Sequence, residues 1–264
     1  MPEGDTLFRT AAGLRPYLVG RTVDAARARQ PGPQADRIVG ATVTGVEAQG
    51  KNLLIRFDNG LEVRTHLGMH GSWHRYRPGE RWRRPPARAR LVIEVPGAVA
   101  VCFDAPTVEL FEQRAEALHP NLRKLGPDLL VDPFDLDEAL RRLRDASKRP
   151  PTIGEALLDQ RAFAGIGNEV RNQALWEARV SPFRPVEAVD DATLRELVER
   201  SRSILKEGAR TGRRPSDIHG RSGRPCPRCG SLIRSETYGG ELPRIAYWCP
   251  TCQPDVRSDV SPGA

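Results

Sequence analysis

The chain has 264 residues, enough to bury a full core in one large domain or in two to three small ones. No run approaches the roughly 18 consecutive apolar residues of a membrane span, and Glu3 and Asp5 stand where a secretion signal would carry positive charge, so a soluble, cytoplasmic protein with no membrane partner is expected. The net charge of +7 and pI near 9.5 fit a polyanionic partner. Only four of the 41 basic residues are lysine (Lys51, Lys124, Lys148 and Lys206), so the arginine excess is in part compositional and each lysine is correspondingly informative.

Residues 5–19 are predicted to form a helix, capped by Asp5, with Leu7, Ala11, Leu14 and Leu18 at 4-3-4 spacing and Gly20 ending it. From about 41 to 113 the period becomes that of strands. Residues 41–48, 52–57 and 61–67 alternate or run β-branched, and Asp58-Asn59-Gly60 marks a hairpin between the last two. Residues 89–95 and 98–103 form another pair around Pro96-Gly97. Beyond Gly126-Pro127-Asp128 the pattern turns helical: Leu136, Leu140 and Leu143 make one stripe. Residues 153–160 and 168–179 make two more helices around Ala164-Gly165-Ile166-Gly167, and 191–207 a fourth. An α+β multidomain fold follows. It has an N-terminal antiparallel β-sandwich with its helix (1–120), a helical domain (121–220), a cysteine module (221–254) and a disordered tail (255–264).

The module reads Cys226-x2-Cys229, nineteen residues, then Cys249-x2-Cys252, with Gly239-Gly240 near the middle as a hairpin turn. Two such knuckles present four thiolates to one tetrahedral zinc ion, and four sulfurs leave no open position, so a structural role is expected. The competing reading, two disulfides, fits an intracellular chain with a fifth cysteine poorly. That fifth residue, Cys102, lies within a strand and reads as a small buried hydrophobe.

Met1-Pro2-Glu3-Gly4-Asp5 is ordinary alone. In this chain it precedes Gly50-Lys51-Asn52-Leu53, His66-Leu67-Gly68-Met69, Leu158-Asp159-Gln160, Ala164-Gly165-Ile166-Gly167-Asn168 and the four cysteines. That ordered set, spanning residues 2–253, resembles the formamidopyrimidine-DNA glycosylase/endonuclease VIII family of base-excision enzymes. The resemblance implies a bifunctional DNA glycosylase and abasic-site lyase acting on damaged double-stranded DNA as a monomer, with a helix–two-turn–helix domain and a zinc-finger hairpin. It makes Pro2, freed by removal of Met1, the nucleophile that forms a Schiff base with the sugar. Glu3 becomes the general acid/base, and Lys51 a phosphate contact in the first elimination. Arg244, five residues before Cys249, would grip the phosphates flanking the lesion and serve the second elimination. Met69 would fill the space left by the extruded nucleotide, while Lys124, Gly167 and Asn168 would contact DNA.

An amine nucleophile must be unprotonated. Near pH 7.4 an ordinary lysine is roughly 0.1% free base, whereas an α-amino group of pKa about 7.7–8.0 is of order a quarter free, which favours a chain terminus.

Two features resemble the endonuclease VIII branch, whose members mainly remove oxidised pyrimidines. Residues 103–110 lack the Asp-x-Arg-Arg-Phe-Gly run of the 8-oxoguanine branch, and Gly154 replaces a lysine of that branch. The segment between Lys206 and Ile218 is short, which implies an open base pocket. Gly68 and His70 flank Met69 where relatives often carry other residues. A non-catalytic zinc-ribbon DNA-binding protein of the same fold is the alternative; it would not need Pro2, Glu3 and Lys51 together. A nuclease with metal-activated water lacks a suitable His/Asp/Glu cluster.

Overall fold

A computed structural model describes residues 2–146, 152–239 and 243–254. The chain divides into two compact units, Met1–Lys124 and Leu125–Ala264.

The first unit opens with helix α1 (Gly4–Leu18), which buries Leu7, Ala11, Leu14 and Leu18 as the spacing predicts. Its cap is Glu3 and not Asp5: the Glu3 carbonyl accepts from the amides of Thr6 (2.9 Å) and Leu7 (3.2 Å), which places Asp5 in the first turn, where the helix dipole favours an acid. Then come β1 (Ala25–Ala28), β2 (Val43–Gln49), β3 (Asn52–Phe57), β4 (Leu61–His66), β5 (Ser72–Tyr76), β6 (Ala89–Val95), β7 (Ala98–Phe103) and β8 (Thr107–Glu112). They form two antiparallel four-stranded sheets, ordered β1-β6-β7-β5 and β2-β3-β4-β8. One core joins α1 to residues of both sheets: Leu53, Ile55 and Phe57 from β3, Leu91, Ile93 and Val95 from β6, Ala100 and Cys102 from β7. Cys102 is fully buried, as expected, and burial pushes its thiol pKa up. The alternate residues of β7, and Val92 of β6, are buried too. Val92, Val99, Val101 and Phe103 form a second apolar layer with Tyr76 and Trp82, so β7 reads as a continuous apolar run.

The second unit contains α2 (Leu136–Ala146), α3 (Ile153–Ala156), α4 (Asn168–Glu177) and α5 (Asp191–Thr211), then the hairpin β9 (Arg234–Tyr238) and β10 (Arg244–Trp248). Two expectations are corrected. The helix predicted over 153–160 stops after one turn, because Gln160 is drawn into the following glycine turn. The last helix runs on to Thr211, capped by Gly212 at φ 77°, so the connection to Ile218 is shorter than the sequence suggested. The stripe of α2 is confirmed, with Leu143 fully buried and Leu136 and Leu140 half-buried against the core. Tail residues 255–264 lie outside the described residues.

Candidate active site

In the first unit the Glu3 side chain is 0% exposed, unlike an ordinary first-turn acid, and Pro2 beside it is half-buried. Lys51 is half-buried in a two-residue turn: Gln49 pairs with Asn52 across β2 and β3, leaving Gly50-Lys51 as the connection. Gly50 at φ 57° supplies the left-handed first position that such a tight hairpin requires. Lys51 therefore sits on a fixed loop tip and not at the start of a strand. Behind it runs a polar chain. Asn52 Nδ2 donates to the Gln49 carbonyl (3.0 Å), and Asn52 Oδ1 accepts from Arg64 Nε (2.9 Å). Arg64 continues to Glu109 (2.5 Å), which His119 also meets (3.1 Å).

His66 lies opposite Asn52 in the sheet register. Burial, then the charges of Lys51 and Arg64, hold its imidazole below the usual histidine range. The ring is neutral near pH 7, and its Nδ1 accepts the Gly68 amide (3.3 Å). That bond starts the Met69 turn, closed by the Gly71 amide on the Leu67 carbonyl (2.8 Å). Gly68 sits at φ 59°, and a Cβ there would lie 2.9 Å from Pro106 Cγ. The small flanking residue is thus sterically required, and the turn holds Met69 63% exposed. Lys124 is exposed at the end of this unit.

In the second unit Gln160 builds the glycine turn. Its Oε1 accepts the Gly165 amide (3.1 Å) and its Nε2 donates to the carbonyls of Leu158 (2.9 Å) and Ile166 (3.0 Å). Gly165 takes φ 106°. Gly167 is the N-cap of α4 and brings no capping side chain, so the first-turn amides suit an anion. Asn168 is buried, and its Nδ2 donates to the Ile245 carbonyl (3.0 Å), tying α4 to the finger hairpin.

That same carbonyl accepts from Arg171 Nη2 (3.1 Å), and the Tyr247 amide donates to Asn172 Oδ1 (3.3 Å). Three residues of α4 thereby hold β10, whose first residue is the exposed Arg244. Tyr238, opposite Arg244, donates its hydroxyl to the Pro182 carbonyl (3.1 Å). A Cβ on Gly154 would stand 1.9 Å from that hydroxyl, so the tyrosine occupies the space a side chain at 154 would need.

The sulfurs of Cys226, Cys229, Cys249 and Cys252 all lie within 4.8 Å of one another. Cys226–Cys252 is 4.0 Å and Cys229–Cys249 3.3 Å, bracketing the sulfur–sulfur edge of about 3.8 Å implied by tetrahedral bonds of about 2.3 Å. The Cys252 amide donates to Cys249 Sγ (3.4 Å), and Gln253 braces the knuckle by accepting the Cys249 amide (3.0 Å) and donating to the Val180 carbonyl (2.8 Å).

Residues 1–107 match the profile of the formamidopyrimidine-DNA glycosylase N-terminal domain, and residues 125–219 that of the formamidopyrimidine-DNA glycosylase H2TH domain. The chain belongs to the formamidopyrimidine-DNA glycosylase family. Among its relatives, the probable endonuclease 8 2 of Streptomyces coelicolor is 36% identical over 99% of both chains. The DNA-(apurinic or apyrimidinic site) lyase Nei2 of Mycolicibacterium smegmatis is 35% identical over 96% of this chain and 99% of its own. The MutM (Fpg) protein of Thermus thermophilus has a similar crystal structure, with TM-score 0.81 and 28% identity over 96% of this chain and 98% of that one. Among the described residues no helix is long and apolar enough to cross a membrane.

Within this family member, motif reading located the Gln160 segment but not its task, and it missed Arg171 and Tyr238. Arg171 is 1% exposed and lies over the Tyr238 ring at 5.6 Å. The signal for it was an arginine three residues after Asn168 on an otherwise buried helix. Nothing in the local sequence of Tyr238 or Gly154 marks them as partners 84 positions apart.

Proposed function

We propose that the chain is a base-excision-repair DNA glycosylase with abasic-site lyase activity, acting on oxidised bases, chiefly pyrimidines, in double-stranded DNA. The observation that carries this reading is a Glu3 carboxyl withdrawn wholly from water next to Pro2, in a chain matched end to end by relatives named for these activities.

The Pro2 secondary amine attacks the anomeric carbon of the damaged nucleotide. The glycosidic bond breaks, and the base leaves with the bonding electrons and with the proton that the Pro2 nitrogen gives up on forming its new bond to carbon. Glu3 protonates the sugar ring oxygen, the ring opens, and an iminium forms between the carbon and Pro2. Loss of a proton from the neighbouring carbon then expels the 3′ phosphate, and a second elimination expels the 5′ phosphate. Lys51, on its rigid tip, contacts phosphate in the first elimination. Arg244, fixed by α4, grips phosphate bidentately in the second. Met69, already exposed, takes the place of the extruded nucleotide, and the start of α4 with Gly167 and Asn168 binds backbone phosphate. Lys124 adds an exposed charge. The helical segment and the finger act as two distinct holds on the DNA, and the enzyme works as a monomer in the cytoplasm.

The four thiolates fit one zinc ion in a closed site, which anchors the hairpin and leaves no position for catalysis. The preference for pyrimidines is supported by the shortened segment before Ile218 and by Tyr238 standing where a lysine at position 154 would project. Duplexes carrying one thymine glycol, dihydrouracil or 8-oxoguanine test the reading: nicking without any added nuclease, fastest on the pyrimidine lesions, is expected. A strong preference for 8-oxoguanine overturns the substrate class, and no nicking of any duplex overturns the activity.

A further inference from the structure

Between β5 and β6 runs a loop, residues 77–88, that the mechanism above does not use. It is strongly basic: Arg77, Arg81, Arg83, Arg84 and Arg88 face a single acid, Glu80, which accepts the Arg77 amide (2.8 Å). The loop is held in one shape. Trp82 stacks on Tyr76 (6.1 Å) and meets Phe103 edge-on (5.8 Å), closing the second apolar layer of the β6–β7 sheet, and the Arg83 amide donates to the Tyr76 hydroxyl (3.1 Å). Arg84 and Arg88 both grip Asp104, a residue held at φ 53°. Asp104 offsets only one of those two charges, and Arg81 and Arg83 remain exposed, neither guanidinium having a hydrogen-bond or ion-pair partner among the described residues.

The loop is also tied to the Met69 turn. Arg84 Nη1 donates to the carbonyl of His70 (3.1 Å), the residue after Met69, while Pro106, two residues beyond Asp104, packs against Gly68. At about 3.3–3.6 Å per residue, Arg83 and Arg81 stand within roughly 4 and 11 Å of Arg84 along the chain. A duplex presents one negative charge per about 1.7 Å of its axis. A duplex seated on the Met69 turn would lie beside the base of this loop, where closely spaced phosphates are the groups two exposed guanidinium ions would meet.

We propose that Arg81 and Arg83 form a further DNA-binding site, a rigid phosphate clamp braced by Arg84 and Trp82 against the plug turn. The inference rests on the repair function proposed above. The clamp binds backbone without reading bases, and because Trp82 and the Asp104 pair fix it beforehand, little loop ordering opposes binding.

The test measures the affinity of the full-length protein for a duplex with one tetrahydrofuran abasic analogue, as a function of salt. Each phosphate contact steepens the dependence of log K on log salt by about 0.9, so R81A/R83A should be shallower than wild type by about 1.8. Between about 50 and 200 mM salt its affinity should fall roughly 12-fold less than that of wild type. R81K/R83K, which keeps both charges, should restore the wild-type slope. An R81A/R83A slope equal to wild type, with an unchanged melting temperature, overturns the clamp, including the case in which the patch serves an acidic protein instead. If wild type itself binds no abasic duplex, the repair function fails, and that outcome is distinct from equal slopes in two proteins that both bind.

Discussion

Gly154 shows how one missing side chain can be the mark of another residue's position. The Tyr238 hydroxyl and the Pro182 carbonyl crowd the site where its Cβ would stand, at 1.9 and 2.7 Å. Gly154→Ala should displace Tyr238 and break its hydrogen bond to Pro182, costing about 2 kcal/mol or more of stability by thermal unfolding. Adding Tyr238→Phe should recover only part of that, because the carbonyl clash remains. Full recovery would show that the hydroxyl alone excludes a side chain. Glu62 is the other telling residue. Its side chain is fully buried, and although Arg56 bonds it at 2.8 Å, burial pushes its carboxyl up to about 7. A raised carboxyl contributes stability that is complete below its unfolded value, about 4.5, and is lost as pH rises through about 7. Relative to Glu62→Gln, the wild type should therefore lose melting temperature between pH 5 and 8. A parallel pH course for the two proteins would contradict the assignment.

At the scale of elements, the sequence revealed those whose pattern is local. The stripe of α1, the runs of β3, β6 and β7 and the Asp58-Asn59-Gly60 hairpin stand close to where periodicity puts them. β1, Ala-Ala-Arg-Ala, was missed because no alternation survives in four small or charged residues, and β5 because Ser-Trp-His-Arg-Tyr mixes polar and aromatic side chains on both faces. Helix ends were missed where a distant or backbone group decides them, as Gln160 does for α3 and the Glu3 carbonyl for α1. The site divides in the same way. Pro2, Glu3, Lys51 and the cysteines are recognisable as motifs, whereas the hold of Asn168, Arg171 and Asn172 on β10 exists only after folding. The zinc proposed for the four thiolates would complete that hold. Chelation should release one zinc per chain and weaken abasic-DNA binding roughly tenfold or more, the effect of losing a charged hydrogen-bonding grip of about 1.5–3 kcal/mol. Metal-free protein with full binding and full second elimination would count against the role given to Arg244.

For the whole molecule, the division of labour follows the two compact units. The first holds the proposed chemistry, with the termini of α1 and of the β2–β3 hairpin carrying Pro2, Glu3 and Lys51. The second is built around a helix whose N-cap, Gly167, brings no capping side chain, and a braced hairpin, both suited to phosphate. The net charge of +7 falls almost wholly on the first unit, with 19 basic against 13 acidic residues, compared with 22 against 21 in the second, and charge alone would serve a passive binder equally well. What distinguishes an enzyme is a covalent bond to Pro2. The direct measurement is borohydride trapping on a duplex with one abasic site, using protein whose N-terminus has been processed to Pro2. A covalent protein–DNA adduct is predicted, lost both on Pro2→Gly and when an uncleaved tag blocks the terminus; an adduct that survives both changes would contradict Pro2 as the nucleophile.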